Sequence, residues 1–147
     1  MESPNAVREG PSYAAHRKSH CHCIACGNAN PASLRLYFDL RPDGSVAGTF
    51  KGSSLLQGYP GILHGGIISS LLDAAMTHCL FHHSIEAVTG ELIVRFLHPV
   101  PCNAQLHIRA RLIESRSILH RLESEVLHGN KKLAKATARF MERSNPY

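Results

Sequence analysis

The chain of 147 residues has no unbroken apolar run of the roughly 18 residues that a membrane span needs. Six polar residues interrupt its most apolar stretch, residues 61–81: His64, Ser69, Ser70, Asp73, Thr77 and His78. The first ten residues also lack the basic start and apolar segment of a secretory signal. We therefore expect no membrane association and a cytoplasmic location.

Internal repeats and low-complexity tracts are absent as well, and the composition argues against a disordered, collagen-like or coiled-coil chain. Hydrophobic residues make up 44% and charged residues 18% of the chain, close to globular averages. At this length we expect one compact domain. Residues 1–18 are polar, contain Pro4, Gly10 and Pro11, and show no periodicity, so we predict a flexible N-terminal arm followed by a single domain over residues 19–147.

The net charge of +5 comes without any nucleic-acid-binding motif, so we expect no nucleic-acid partner. The basic residues stand at alternating positions of predicted strands, which indicates a solvated sheet face. They are Arg95, Arg109, Arg111, Arg116, Arg121, Lys131, Lys132, Lys135 and Arg139.

Cysteine is too scarce and too unevenly placed for a disulfide framework, because three of the five cysteines lie within six positions. Five potential zinc ligands stand in seven residues: His20, Cys21, His22, Cys23 and Cys26. A closed zinc site needs four ligands, and no second pair of ligands follows at suitable spacing. We expect reduced cysteines and no metal, with a zinc site completed by a distant residue or a second subunit as the alternative.

Hydrophobic periodicity predicts a mixed α+β domain. Alternation over residues 34–40 and 46–50, joined by the turn 41–44, predicts a β-hairpin with one buried face. Apolar residues at helical spacing predict a helix over residues 65–81. Further alternation predicts strands over residues 92–96, 106–112 and 118–126, and a last strand after the turn at Gly129. A helix so apolar must be wrapped, and we predict an antiparallel sheet curved around it.

The start of this helix carries the candidate chemistry. Gly65 and Gly66 follow His64 at the first turn, where backbone N–H groups are unpaired and the helix dipole is positive. Asp73 lies nine positions after His64, on a narrow polar stripe with Ser69 and Thr77. An acid among apolar neighbours has a raised pKa and suits general-base or nucleophilic catalysis. Taken singly, each residue also has a structural reading: close packing for the glycines, solvation for Asp73 and hydrogen bonding for His64.

Together these residues resemble a known family. The segment over residues 58–76, with His64-Gly65-Gly66 and Asp73, resembles the central helix motif of hotdog-fold acyl-CoA thioesterases of the phenylacetate-degradation and 4-hydroxybenzoyl-CoA types. Residues 87–99 look like the strand after that helix, and residues 23–31 are similar to the entry segment of one branch. The resemblance covers most of residues 20–142.

The resemblance implies a long helix wrapped by an antiparallel sheet and hydrolysis of an acyl-CoA thioester without a cofactor. It implies a homodimer with sites at the interface, with a dimer of dimers as a further arrangement. Asp73 would attack the carbonyl or activate water, Gly65 would polarise the carbonyl, and His64 would shape the loop. Thr89 would reach towards the other subunit's acid. Gly66 and Thr77 would contact substrate or its water, and some basic residues would meet coenzyme A phosphates.

One position departs from the family pattern. Relatives carry Asn or Gln six residues before the histidine, where this chain has Gly58, and Gln57 stands one place earlier. Either the loop shifts so that Gln57 serves at the substrate, or the helper is absent. The departure keeps open a non-catalytic acyl-CoA-binding module or sensor. A hotdog hydratase or dehydratase shares the fold but uses an acid and histidine arrangement that this sequence does not show.

Overall fold

A long helix forms the centre of the fold. The computed structural model describes residues 11–143, and within them α2 spans Gly65–His82. It is preceded by α1, Pro11–Ser19, and by a 3₁₀ turn, Ser54–Leu56. The strands are β1 Asp39–Leu40, β2 Val46–Lys51, β3 Ala87–Phe96, β4 Gln105–Arg116, β5 Leu119–His128 and β6 Lys131–Glu142. The predictions of the central helix and of the strands that follow it are confirmed.

The strands form one antiparallel sheet in the order β1-β2-β4-β5-β6-β3. The chain leaves α2 into β3 at one edge of this sheet, and β4, β5 and β6 then fill its middle as a meander. The sheet curves around α2, which contacts β2, β3, β4, β5 and β6. This is the hotdog arrangement that the family resemblance implies.

Small side chains let the helix lie close to the sheet. Val46, Ala110, Ser124, Ala136 and Val94 are register partners in one row across five strands, and the middle three are buried. Because their side chains are short, the row leaves room for the apolar face of α2.

No helix of the described residues is long and apolar enough to span a membrane.

The predicted strand over residues 34–40 is largely wrong. Only Asp39–Leu40 pairs with β2, because Arg35 adopts a positive φ of 55° that breaks an extended chain. The N–H groups of Leu34 and Leu36 donate instead to carbonyls of the cysteine-rich segment, at Ile24 and Ala25. This part of the chain is therefore tied to the cysteine segment rather than to the sheet.

The predicted flexible arm also differs from the structure, since residues 11–18 lie in α1. Tyr13 is 1% exposed and its ring stacks on His82 with centroids 3.6 Å apart. Its hydroxyl donates to the carbonyl of Phe38 and lies 2.8 Å from Nδ1 of His78. Aromatic and histidine contacts therefore dock α1 on the second half of α2. Residues 1–10 of the predicted arm lie outside the described residues.

His78 makes this contact sensitive to pH. Burial, followed by nearby Arg17, lowers the pKa of His78 to about 3, whereas an unfolded histidine titrates near 6.5. Below pH 6.5 the His78 side chain takes up a proton in the unfolded chain but stays neutral in the folded chain. The free energy of unfolding therefore decreases as the pH decreases. We expect His78 to account for a loss of about 2 kcal/mol between pH 7 and pH 5.

Denaturant unfolding of the wild type and of His78→Asn at both pH values measures this contribution. Asparagine is neutral throughout and keeps a polar group near Tyr13. Its loss of stability on acidification should therefore be smaller than that of the wild type by the amount assigned to His78. Equal losses in the two proteins would show that His78 is protonated in the folded state.

Candidate active site

The loop before α2 is closed by its own hydrogen bonds. Oε1 of Gln57 accepts from the N–H of Gly61 at 3.0 Å, and Gly61 has a positive φ of 78°, which glycine adopts without strain. The N–H of Gly58 donates to Ile62, and Leu63 donates to Val100 beyond β3. The oxygen of Gln57 is thus engaged within the loop, and Gly58 contributes only backbone.

His64 caps the helix and consumes one of its free donors. Its Nδ1 accepts from the N–H of Gly66 at 2.8 Å, and its carbonyl accepts from Ile67 and Ile68. Gly66 therefore has no backbone donor left for a substrate. The N–H of Gly65 has no acceptor among residues 11–143. It lies at the positive end of the helix dipole, where a developing negative charge on oxygen would be stabilised.

Asp73 lies two and a half turns after His64, and its side chain is half-buried. Desolvation by burial is the main influence and raises its pKa, while a hydrogen bond from Thr89 lowers it in part. The hydroxyl of Thr89 donates to Oδ1 of Asp73 at 2.7 Å. The direction of the shift confirms the expectation drawn from the apolar neighbours of Asp73.

The hydroxyl of Thr89 donates to Asp73 of its own chain, and its contact with a second subunit's acid stays a prediction. The register of β3 against β6 shifts between Thr89 and Glu91, which leaves Gly90 as an extra residue in β3. Such a bulge re-aims a neighbouring side chain. Periodicity alone could not show this, since a bulge changes which face each later residue occupies.

The two hydroxyls of the polar stripe, on Ser69 and Thr77, donate to backbone carbonyls within the helix. Thr77 Oγ1 donates to the backbone carbonyl of Asp73 at 3.0 Å, and Ser69 Oγ donates to that of Gly65 at 2.9 Å. Neither proton points at the Asp73 carboxylate. The proton of the Thr77 hydroxyl is thus used within the helix, and a contact of Thr77 with substrate or its water stays a prediction.

The two candidate catalytic groups of one chain are far apart. Gly65 and Asp73 are eight residues apart on one continuous helix, a rise of about 12 Å at 1.5 Å per residue. A carbonyl whose oxygen meets the Gly65 N–H and whose carbon is attacked at Asp73 needs both groups within about 6 Å. One chain therefore cannot bring these two groups to the same carbonyl.

Comparison with known proteins places the chain in a family. A family model described as Thioesterase superfamily matches residues 60–135, which include α2 and β3 to β5 and make up just over half of the chain. The chain belongs to the Thioesterase superfamily.

Individual proteins are similar to the chain in sequence or in fold. An acyl-coenzyme A thioesterase, THEM4 of Bos taurus, is 34% identical over 71 residues, which are 47% of this chain and 29% of that protein. The chain spans less than half the length of the curated relatives it matches. A crystal structure of a thioesterase superfamily protein superposes with a TM-score of 0.79, 21% identity and coverage of 95% of this chain and 69% of that one. The E. coli PaaI protein of the phenylacetic acid degradation operon gives a TM-score of 0.74 at 18% identity, with coverage of 87% and 94%.

One residue beside the candidate site, Phe96, was not predicted from the sequence. The Phe96 ring, at the end of β3, lies 3.4 Å from the place where a Cβ on Gly65 would be, and the residue is 52% exposed. It forms an apolar wall next to the free N–H. The alternation of Leu92, Val94 and Phe96 could have indicated the inward face, but not that the ring meets the helix start.

The basic residues follow the solvated-face interpretation. Most pair with acids across neighbouring strands, as Arg109 does with Glu125 at 3.9 Å, Lys132 with Glu125 at 2.7 Å and Arg139 with Glu91 at 3.6 Å. A shallow depression of about 660 Å³ lies among such residues on the sheet. Neither Asp73 nor Gly65 lines this depression.

The cysteine-rich segment brings only some of its candidate ligands together. The donor atoms of His20, Cys23 and Cys26 lie within 4.8 Å of one another. Cys21 and His22 are not part of this group, and all five cysteines are free thiols.

Removal of the Thr89 hydroxyl should raise the pKa of Asp73 further. Thr89→Val deletes the one hydrogen bond that favours the ionised carboxylate and keeps the side-chain shape, whereas Thr89→Ser retains the donor. Carbon-detected NMR titration of the Asp73 carboxyl group in the wild type and both variants measures the shift. A pKa that is the same in Thr89→Val and the wild type would contradict the contact.

Proposed function

We propose that this protein hydrolyses acyl-CoA thioesters to a free acid and coenzyme A. The observation that carries the proposal is the pairing of two features on α2: a half-buried carboxylate held by Thr89, and a helix start with a free N–H at Gly65. A general base or nucleophile and a donor for the oxyanion are the two parts that thioester hydrolysis needs. The curated relatives, which carry the name acyl-coenzyme A thioesterase, support coenzyme A as the leaving group.

We propose that the working site combines Gly65 of one chain with Asp73 of a second copy. The separation of about 12 Å along α2 supports this arrangement, because the proposed mechanism has one carbonyl contacting both groups. The outer edge of β3 has no strand partner among the described residues, and Val88 and Ile93 on this strand are 51% and 58% exposed. Such an edge suits pairing with the same strand of a second copy, which would give a twofold homodimer.

In this arrangement Asp73 acts on water or on the thioester carbon. As a base, the carboxylate accepts a proton from water, and the hydroxide adds to the carbonyl carbon. The carbonyl oxygen becomes an oxyanion that accepts from the Gly65 N–H. When the tetrahedral intermediate collapses, the carbon–sulfur bond breaks and the coenzyme A thiolate leaves with a proton. As a nucleophile, the Asp73 carboxylate would add to the carbonyl carbon, and the carbon–sulfur bond would break to release the coenzyme A thiolate and leave a mixed anhydride. Water would then cleave the anhydride to the free acid and restore the Asp73 carboxylate.

The remaining candidates support this pair. His64 fixes the helix start through its bond to Gly66, and Thr89 positions Asp73. The side-chain oxygen of Gln57 is engaged within the loop before α2. Because Gly58 has no side chain, its position lacks the amide that relatives place there. This absence is the observation that favours the second candidate function, a non-catalytic acyl-CoA-binding module.

Asp73→Ala should reduce acyl-CoA hydrolysis by about 100-fold or more, because it removes the group that activates water. Asp73→Asn, which keeps the shape, should lose a similar factor. Ser70→Ala serves as the control and should retain wild-type turnover, since the Ser70 hydroxyl donates to the carbonyl of Gly66 and has no role in the proposed mechanism. Thiol release from short-chain, long-chain and aromatic acyl-CoA esters measures these rates.

Unchanged turnover in Asp73→Ala would contradict the catalytic assignment. Micromolar binding of these esters without turnover by the wild type would favour the binding module instead.

Mixing two inactive variants tests the shared site. Gly65→Pro removes the backbone N–H at the first helical position, where proline is tolerated, and His64 already has the extended conformation that proline requires (φ −62°, ψ 136°). We expect a loss of about 100-fold or more, as for other oxyanion-hole donors. Gly65→Ala keeps the N–H and is the steric control.

When Gly65→Pro and Asp73→Asn chains are mixed and allowed to exchange, each heterodimer contains one site with both native groups. Random pairing makes half of the dimers mixed, so about a quarter of wild-type activity should return. A mixture no more active than its components would contradict a site shared between chains. Light scattering confirms that the variants remain dimers.

A further inference from the structure

The segment between α1 and the sheet gathers two thiols and an imidazole. Cys26 Sγ lies 3.9 Å from His20 Nδ1, and all three donor atoms of His20, Cys23 and Cys26 are within 4.8 Å of one another. In a tetrahedral zinc site with bonds of about 2.0 to 2.3 Å, neighbouring ligand atoms are about 3.3 to 3.8 Å apart. Small side-chain rotations would therefore bring the three atoms to ligand spacing.

The backbone around the two cysteines has a conformation suited to holding thiolates. The N–H of Ala25 donates to Cys23 Sγ at 3.3 Å, and the N–H of Gly27 donates to the carbonyl of Cys23 at 2.8 Å. A Cβ at Gly27 would lie 2.4 Å from the carbonyl oxygen of Cys21 and 2.6 Å from backbone atoms of Cys23. Only glycine fits this tight turn, and an N–H directed at a ligand sulfur stabilises its negative charge.

The three side chains are held by their surroundings. Cys26 is only 7% exposed and belongs to the core cluster, and the His20 ring packs edge-on against Phe81. Two thiols and one imidazole are donors that suit Zn²⁺ and not Mg²⁺ or Ca²⁺.

We propose that His20, Cys23 and Cys26 bind one Zn²⁺ ion, with water or another small ligand in the fourth position. The ion replaces the two thiol protons, which pass to solvent. Because His20 directly follows α1, the ion would fix the docking of α1 on the second half of α2. On α2, Phe81 lies sixteen residues from Gly65 and eight residues from Asp73, about 24 Å and about 12 Å of helical rise, so this site is separate from the proposed catalytic groups.

Metal content of the untagged full chain tests the proposal. The protein is purified under reducing conditions without chelator, and zinc is measured by plasma emission spectrometry against protein concentration. We expect about one equivalent per chain, and less than about 0.2 equivalents, both as purified and after incubation with added zinc, would overturn the site. A Cys23–Cys26 disulfide in zinc-free protein would overturn it as well.

Single variants identify the ligands. Cys23→Ser and His20→Asn should each retain much less zinc, whereas Cys21→Ser, a neighbouring cysteine outside the group, should retain about one equivalent. Equal loss of zinc in Cys21→Ser and Cys23→Ser would overturn the proposed ligand set. If the ligand variants do not fold, cobalt-substituted wild-type protein provides the test. It should show thiolate-to-cobalt charge-transfer bands, and the absence of these bands would overturn the proposal.

The proposed structural role has its own readout. Removal of zinc by a chelator should lower the Tm of the wild type and leave the Tm of Cys23→Ser unchanged. An equal decrease in both proteins would show that the chelator acts elsewhere.

Discussion

The burial of α2 around most of its circumference is the constraint on which the rest of this fold depends. Ten of its eighteen residues are buried, so the sheet must curve around the helix and present short side chains where the two approach. Polar groups can then persist on α2 only where a hydrogen bond compensates for lost hydration. Asp73 has Thr89, Ser69 and Thr77 have backbone carbonyls, and Gly66 has His64. The Nε2 of His78, which is buried, and the N–H of Gly65 are exceptions among the described residues. The N–H of Gly65 lies at the helix start, where a ligand oxygen would be stabilised.

Most of the fold could be predicted because its main elements have strong, unbroken periodicity. The helical spacing of α2 and the alternation in β4, β5 and β6 each express a single buried face. Prediction failed where other contacts decide the structure. α1 docks through Tyr13 and histidines, which have no apolar periodicity, and residues 34–38 leave the strand because Arg35 adopts a positive φ.

The candidate site shows the same division between local and non-local information. The capping role of His64 and the raised pKa of Asp73 follow from neighbours in the sequence. The contact of Thr89 with Asp73 depends on the bulge at Gly90, and the position of Phe96 beside Gly65 depends on how β3 passes the helix start. Neither is visible in spacing alone, because both arise from the pairing of distant segments.

The rigidity of α2 has a consequence for how the proposed sites would behave together. In a twofold dimer, one helix supplies the oxyanion donor to one site and the carboxylate to the other. A small slide of this helix along its axis would displace a catalytic group in both sites at once. Substrate binding that shifts α2 at one site would therefore also shift a catalytic group of the other site. The two active sites would be mechanically coupled without any hinge or moving loop between them.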